Sequence, residues 1–183
     1  RNNTVLNNKT SDAGMKAYYA LLSRTEGADS ISQFNHPGTT FGDFQDFAHY
    51  TEAYDALITL LEVGNGEGAI GSSGYFPSYE YYTRALDKGW HLAPTNNHNN
   101  HEGQFGLADT ARTVILAKEL TEESLYEAMK ARRVYATEDA DLGIYYTLDG
   151  AVMGSLLRGS QVGERAELTV KLFDPTDAAL GTV

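Results

Sequence analysis

A short apolar run, Trp90-His91-Leu92-Ala93-Pro94, is followed after Thr95 by a polar cluster, Asn96-Asn97-His98-Asn99-Asn100-His101. The run has the length and apolar character of a buried β-strand. Asparagine and histidine form strands and helices poorly, but their side chains bind metals and hydrogen-bond partners well. A cluster of these residues at the end of a strand indicates a functional loop.

Two further strands are predicted upstream, and one of them also ends in a loop that carries histidine. Ile31-Ser32-Gln33-Phe34 leads into Asn35-His36-Pro37-Gly38, and a second apolar run at residues 58–63 ends in a glycine-rich loop at 64–68. Two strand ends that both deliver imidazole to a loop favour function over packing.

Helical patterns alternate with the predicted strands. They cover residues 12–24, 77–88 and 121–130, and further strands are predicted at 112–117 and 134–137. Strands that alternate with helices predict an α/β fold with a parallel sheet. The polar loops then meet at the carboxyl edge of that sheet, where active sites of α/β proteins are built.

The pattern changes toward the C-terminus. Residues 144–148 and 166–173 read as strands, and the second alternates apolar and polar residues as a half-buried strand of an antiparallel sheet does. Asp149-Gly150 predicts a hairpin turn. We therefore place a domain boundary near residues 156–165, with one domain at 1–157 and a linker and first strand of a β-sandwich-like domain at 158–183.

Composition limits the classes of partner. The 183 residues carry a net charge of -11, and no basic stripe offsets it, which argues against a nucleic acid or an anionic membrane surface as partner. No apolar run approaches the roughly 20 residues that span a bilayer. Cysteine is absent, so disulfides and thiolate ligands are excluded. The chain begins with Arg1 and ends in what reads as an unfinished strand, so we expect a piece of a longer protein.

Five motifs, taken in order, resemble the PHP (polymerase and histidinol phosphatase) superfamily, and most closely its secreted or periplasmic branch typified by carbaryl hydrolase. The resemblance covers roughly residues 15–157. The motifs are Gln33-Phe34-Asn35-His36-Pro37-Gly38, Leu61-Glu62-Val63-Gly64-Asn65-Gly66, Ala93-Pro94-Thr95-Asn96-Asn97-His98-Asn99-Asn100-His101, Ala111-Arg112-Thr113-Val114 and Arg132-Arg133-Val134-Tyr135-Ala136-Thr137.

The resemblance implies the C-terminal portion of a distorted seven-stranded β/α barrel with two or three divalent metal ions, of which zinc, manganese and iron are the candidates. His36 and His101 would be metal ligands. Asn99 stands where the family's Asp-x-His motif has its aspartate, so a neutral amide replaces an anionic ligand. The family's early His-x-His motif and bridging glutamate are missing, which is consistent with a chain that starts halfway through the barrel and supplies part of a metal site.

Other polar residues are assigned supporting or substrate-binding roles. Arg112 is expected to bind a substrate oxyanion as a fork of donors, with an ion pair to Asp109 or Glu102 as the equally favoured alternative. His98 is a rim residue that contacts substrate. Glu62, a carboxylate at the end of a buried strand, needs a partner and is expected to support the ligands, with direct ligation as the alternative.

Two assignments complete the predicted site. Asn35, next to His36, is expected to support that ligand. A tyrosine-rich stretch after the glycine loop either lines a substrate cleft or, as its helical spacing favours, packs in the core; it comprises Tyr75, Phe76, Tyr79, Tyr81 and Tyr82. No residue is assigned as the catalytic acid or base.

The functional hypothesis is therefore a metal-dependent hydrolase of phosphomonoester or phosphodiester bonds acting on a small-molecule or phosphoester substrate. One alternative is a degenerate PHP domain that serves as a binding or spacer module in a modular extracellular protein, as Asn99 favours. Another is a non-phosphate esterase or amidase on the same scaffold. We expect an exported bacterial protein, extracellular or periplasmic, with a cytoplasmic location as the alternative.

Overall fold

A computed structural model describes residues 11–24 and 29–177, and the parts of both predicted domains at 1–10, 25–28 and 178–183 lie outside the described residues. The described chain is a mixed α/β structure, as the alternating pattern predicts. None of its helices combines the length and the apolar character that crossing a membrane requires.

A parallel arrangement of three strands forms the centre of the structure. Strand β2 (Ile58–Asn65) pairs in parallel with β1 (Ser32–Phe34) on one side and with β4 (Ala93–Asn97) on the other. The short strand β3 (Phe76–Pro77) pairs antiparallel with the end of β2. The predicted parallel sheet is confirmed for these three strands, and their carboxyl ends lie at one edge.

The bounds predicted for two of these strands are wrong. The strand placed at residues 90–94 runs instead over Ala93–Asn97, and β2 continues through Gly64 and Asn65, which were assigned to a loop. Asn96 and Asn97 therefore lie in the sheet. Their low strand propensity is offset because both side chains make hydrogen bonds to residues far along the sequence.

Three longer helices flank the sheet, and side-chain caps start two of them. The Ser11 hydroxyl accepts the Gly14 N–H at the start of α1 (Asp12–Leu22), and the Thr121 hydroxyl accepts the Ser124 N–H before α5 (Glu122–Lys130). Helix α4 (Tyr79–Asp87) is two residues shorter at its start than predicted. Gly89 follows it with φ +98°, the left-handed conformation expected there.

The main core lies between the central sheet and helices α1 and α4. Trp90 is its centre, with 1% of its surface exposed, and its ring meets Phe34 edge-on at 5.1 Å. The indole N–H donates to the Phe47 carbonyl (2.9 Å), so the one polar atom of this buried ring is satisfied. The other buried members are Met15, Tyr19, Leu22, Phe44, Ile58, Leu61, Val63, Tyr81, Ala85 and Leu92.

A single left-handed turn, α2 (Phe44–Phe47), packs onto this core, and the short helix α3 (Glu52–Asp55) follows it. All four residues of α2 have φ between 54° and 57°. A left-handed conformation costs roughly 1–2 kcal/mol per non-glycine residue. Burial of both phenylalanine rings and an ion pair between Asp46 and Lys88 (2.8 Å) hold the turn in place.

The next two strands depart from the parallel pattern. Strand β5 (Arg112–Ile115) pairs antiparallel with β6 (Val134–Thr137), although α5 separates them along the chain. The expectation of a parallel pairing is therefore wrong here. The pair attaches to β4 through a side chain, since the Thr113 hydroxyl both accepts the Asn96 N–H and donates to the Asn96 carbonyl, each at 2.9 Å.

A separate antiparallel sheet ends the described chain. Strand β7 (Gly143–Leu148) pairs with β8 (Ala151–Val152) and with β9 (Leu168–Phe173). A 3₁₀ turn at Gly159–Gln161 lies between β8 and β9 along the chain. The hairpin turn at Asp149-Gly150 is confirmed, with φ of 49° and 80°. Leu168, Val170 and Phe173 of β9 are exposed, whereas Leu172 is half-buried as predicted. The sheet of β9 includes strands from both sides of the predicted boundary at residue 157.

Gly154 generates a testable prediction. It follows β8 with φ +87°, and a Cβ atom there would lie 2.4 Å from the Arg132 carbonyl oxygen. Gly154→Ala is expected to lower the free energy of unfolding by at least about 3 kcal/mol, because backbone strain and overlap with fixed backbone add together. Urea denaturation measures the change.

Gly150→Ala is the matched control, because Gly150 has φ +80° but open space around its Cβ position. Its expected cost is the conformational strain alone, about 1 kcal/mol. Equal losses in the two variants would show that the turn after β8 does not pack against Arg132 as described.

Candidate functional site

The carboxyl edge of the central sheet is organised around one buried carboxylate. Glu62, near the end of β2, has 3% of its surface exposed. Its Oε2 accepts the backbone N–H of His36 (2.6 Å), and its Oε1 accepts the side-chain N–H of Asn97 (2.8 Å). One side chain of β2 thus ties together the loop after β1 and the end of β4. The role of Glu62 as a support for metal ligands stays a prediction.

The hydrogen bonds extend across the edge to Asn35. Asn97 Nδ2 also donates to the Thr95 hydroxyl (3.3 Å), which donates to Gln33 Oε1 (2.9 Å). Gln33 Nε2 then donates to Asn35 Oδ1 (3.0 Å). Asn35 is exposed and joins this network on the loop that carries His36. Its role as a support for a His36 metal ligand stays a prediction.

His36 occupies a constrained loop. Its φ is 34°, in the left-handed region that non-glycine residues rarely adopt. Its imidazole packs against the Phe41 ring with 4.4 Å between centroids, and the Ser78 hydroxyl fixes the next residue by donating to the Pro37 carbonyl (2.8 Å). His36 and Phe76 both line a cavity of about 210 Å³.

Asn99 and His101 lie side by side on the loop after β4. His101 Nε2 is 3.3 Å from Asn99 Oδ1, and Glu67 fixes the backbone by accepting the His101 N–H (2.9 Å). At this distance Nε2 donates a hydrogen bond to Oδ1. A cation shared by the two side chains would replace that hydrogen bond, since two ligands bound to one ion at about 2.1 Å are separated by roughly 3 Å. Both residues are exposed. Imidazole nitrogen and amide oxygen are suitable donors for zinc, manganese or iron.

His98 belongs to a second polar group, which includes a residue that the sequence did not single out as functional. The side chain of Asp109 is 1% exposed, and its Oδ1 lies 2.8 Å from His98 Nε2 and accepts the Ala111 N–H (2.8 Å). The Ala111 carbonyl is also 2.9 Å from His98 Nε2. With two acceptors facing it, Nε2 carries the proton, and Asp109 orients the ring. Asp109 lies in an irregular polar loop, so no hydrophobic pattern reveals its burial.

Arg112 joins this group through its guanidinium. Nη1 donates to the carbonyls of Asp109 (2.8 Å) and Ala111 (2.7 Å) and lies 3.2 Å from His98 Nε2. The contact with Asp109 is therefore to its backbone and not the carboxylate ion pair offered as an alternative. Arg112, His98 and Asn99 line one cavity of about 330 Å³.

The predicted site residues thus fall into two neighbouring sets. His98, Asn99 and Arg112 share a cavity, with His101 beside Asn99, whereas His36 lines a different cavity. Glu62 and Asn97 link the backbones that carry the two sets. The hydrogen bonds of Glu62 to the His36 backbone and to the Asn97 side chain thus connect the two loops that carry histidine.

An acidic cluster lies apart from every predicted ligand. Among residues 11–24 and 29–177, the carboxylates of Asp139, Asp141 and Asp174 alone bring three acidic or histidine ligand atoms within 4.8 Å of one another. A hydrogen bond from the Asp141 N–H lowers the pKa of Asp139, and the contact between the two side chains raises the pKa of Asp141. Acidic groups of this kind are common without a bound ion, so the cluster carries no metal assignment.

The fold and the polar edge define a mixed α/β protein with a candidate site at the carboxyl ends of its parallel strands. Comparisons with known protein families, with curated proteins and with solved structures found no match.

The Glu62 bridge yields a stability prediction. In Glu62→Gln, an amide N–H₂ replaces one acceptor oxygen and faces a donor, either the His36 N–H or the Asn97 amide. We expect the free energy of unfolding to fall by about 1–3 kcal/mol, because a buried donor loses its acceptor. Denaturant unfolding followed by circular dichroism measures the loss.

Glu67→Gln is the control, since exposed Glu67 also accepts a backbone N–H, that of His101. Water can replace this acceptor, so the expected change is below about 0.5 kcal/mol. A Glu62→Gln protein as stable as Glu67→Gln would mean that the bridge does not hold the edge together.

Proposed function

We propose that this chain contributes to a metal-dependent phosphoesterase of the PHP type, as part of its distorted β/α barrel, with the polar edge as its site. The observation that carries the proposal is the buried Glu62 carboxylate, which joins the His36 loop to Asn97 at the end of β4. A buried carboxylate that fixes two histidine-bearing loops resembles the outer support of a metal site, in which ligand orientation is set by neighbouring hydrogen bonds.

The residues assigned to metal binding are His36, Asn99 and His101. The adjacent donor atoms of Asn99 and His101 fit one side of a cation, and imidazole suits zinc, manganese and iron alike. A bound divalent ion supplies water that ionises near neutral pH and charge that stabilises a leaving oxygen. These three residues supply two imidazole nitrogens and one amide oxygen but no carboxylate. A site with two or three metal ions therefore needs further ligands.

Arg112 and His98 are assigned to the substrate. Among the described residues, the contacts of Arg112 are all made through Nη1, which leaves Nη2 and Nε for a substrate oxyanion at the shared cavity. A guanidinium binds phosphate oxygens through parallel hydrogen bonds. Asp109 holds the His98 ring and balances the positive charge of the group. These residues bind and orient the phosphoester beside Asn99.

The second candidate function is a degenerate PHP domain that acts as a binding or spacer module. Asn99 favours it, because a neutral amide holds a dication less strongly than aspartate does. A third candidate, a non-phosphate esterase or amidase, uses the same residues on a neutral substrate. The three candidates differ in what the protein hydrolyses once it is supplied with metal.

A substrate panel separates these candidates. Purified protein is incubated with Mn²⁺ or Zn²⁺ and with p-nitrophenyl phosphate, bis-p-nitrophenyl phosphate and p-nitrophenyl acetate. We expect hydrolysis of a phosphoester. Hydrolysis of the acetate alone would replace the proposal with an esterase, and no hydrolysis with either metal would favour the degenerate module.

Arg112→Ala tests the substrate assignment. We expect KM for the phosphoester to rise about 10-fold or more, because a charge-assisted pair of hydrogen bonds is lost. Arg158→Ala, which removes the same charge from an exposed position, is expected to leave KM unchanged. Equal KM values in the two variants would remove Arg112 from the substrate site.

Asn99→Asp tests the metal assignment. The substitution restores an anionic ligand beside His101, so we expect the metal Kd to fall by about 10-fold, measured by competition with a fluorescent chelator. Asn100→Asp adds the same charge one residue away and controls for general attraction of cations. An Asn99→Asp variant that binds metal no better than Asn100→Asp would contradict the assignment.

A further inference from the structure

We propose that a cavity between helix α4 and strands β4 and β6 is a binding site for a small organic ammonium ion with a compact apolar body. The cavity measures about 490 Å³ and is larger than the cavity at Arg112. It contains none of the residues assigned to the phosphoesterase site. The proposal therefore stands independently of that function.

The cavity lies on the opposite face of β4 from the Glu62 network. Successive residues of a strand point to opposite faces of the sheet. Asn97 contacts Glu62 on one face, whereas Asn96 contacts Tyr75 and lines the cavity on the other. A ligand in the cavity would therefore approach the sheet from the side covered by α4.

Asn96 supplies an unused hydrogen-bond acceptor at the cavity wall. It is 3% exposed, and its Nδ2 donates to the Tyr75 hydroxyl (2.9 Å) and to the Thr137 carbonyl (3.4 Å). Both amide hydrogens are therefore used, while Oδ1 is buried and has no partner in the described part of the chain. Buried acceptors are nearly always paired, so Oδ1 calls for a donor from a ligand.

Glu138 supplies negative charge at the rim. Its Oε1 accepts hydrogen bonds from the hydroxyls of Tyr79 and Tyr75, which leaves Oε2 for a ligand. Burial raises the pKa of both tyrosines, so they keep their protons and serve as donors. Of the described residues that line the cavity, Glu138 is the sole charged one. The lining thus attracts a cation and offers no basic group to an anion.

The remaining walls fit a compact apolar body. Val63, Pro94 and Ala136 contribute aliphatic surface, and the rings of Tyr79 and Tyr82 stand beside them. Aromatic faces attract organic cations, and apolar walls favour a hydrocarbon stem. A primary ammonium group carries a countercharge for Glu138 and enough hydrogens for a second acceptor, for which Asn96 Oδ1 is the unpaired candidate. A neutral alcohol satisfies Asn96 but leaves the carboxylate without a countercharge.

Calorimetric titration with benzylamine tests the proposal, with benzyl alcohol and benzoate as neutral and anionic probes of similar shape. We expect saturable binding of benzylamine with a Kd of about 1 mM or tighter, binding of benzyl alcohol about 10-fold weaker, and no binding of benzoate. No saturable binding of benzylamine, or binding of benzoate with equal affinity, would overturn the proposal.

Two variants locate the bound probe. Glu138→Gln is expected to weaken benzylamine binding about 10-fold while leaving benzyl alcohol binding unchanged. Thr83→Trp places a large ring in the cavity from an exposed position of α4 and is expected to abolish binding of both probes. Glu123→Gln removes an equal charge from α5 and is expected to change neither. Equal losses in Glu138→Gln and Glu123→Gln would show non-specific attraction by the acidic protein. Phosphoester hydrolysis by Glu138→Gln is expected to match the parent.

Discussion

The arrangement of the polar edge depends on one buried carboxylate. Glu62 lies on the central strand of the parallel sheet, almost wholly removed from water, and accepts hydrogen bonds from the His36 backbone and the Asn97 side chain. A buried charge is tolerated when hydrogen bonds satisfy it. The two contacts therefore stabilise the Glu62 carboxylate, and the carboxylate in turn positions the His36 backbone and the Asn97 side chain. These two Glu62 hydrogen bonds therefore set the positions of the loop that carries His36 and the loop that carries Asn99 and His101.

Strand β4 gives the two faces of the sheet different chemistry. Asn97 faces the Glu62 network, and Asn96 faces Tyr75 and the cavity under α4. The same pair of residues also extends the strand beyond the bounds that propensity predicts. Consecutive asparagines in a strand are compatible with folding here because the side-chain N–H₂ group of each has acceptors on its own face. A single polar dipeptide thus serves both the candidate metal edge and the proposed ammonium cavity.

Local signals in the sequence predicted much of the fold. The helices that begin near residues 12 and 121 and the parallel strands β1, β2 and β4 follow from patterns within a few residues. The antiparallel pairing of β5 with β6 and the burial of Asp109 depend on contacts between distant residues, which periodicity does not encode. For the same reason the sequence indicated Glu62 as a supporting residue without revealing its partners.

Metal content tests whether Glu62 positions the loops that are proposed to bind metal. Parent, Glu62→Gln and Glu67→Gln proteins are dialysed against Zn²⁺ or Mn²⁺, freed of excess ion and analysed by plasma mass spectrometry, with circular dichroism confirming that each is folded. We expect bound metal in the parent and in Glu67→Gln, and a clear loss of metal in folded Glu62→Gln. A parent without metal, or a folded Glu62→Gln that retains the parent's content, would contradict it.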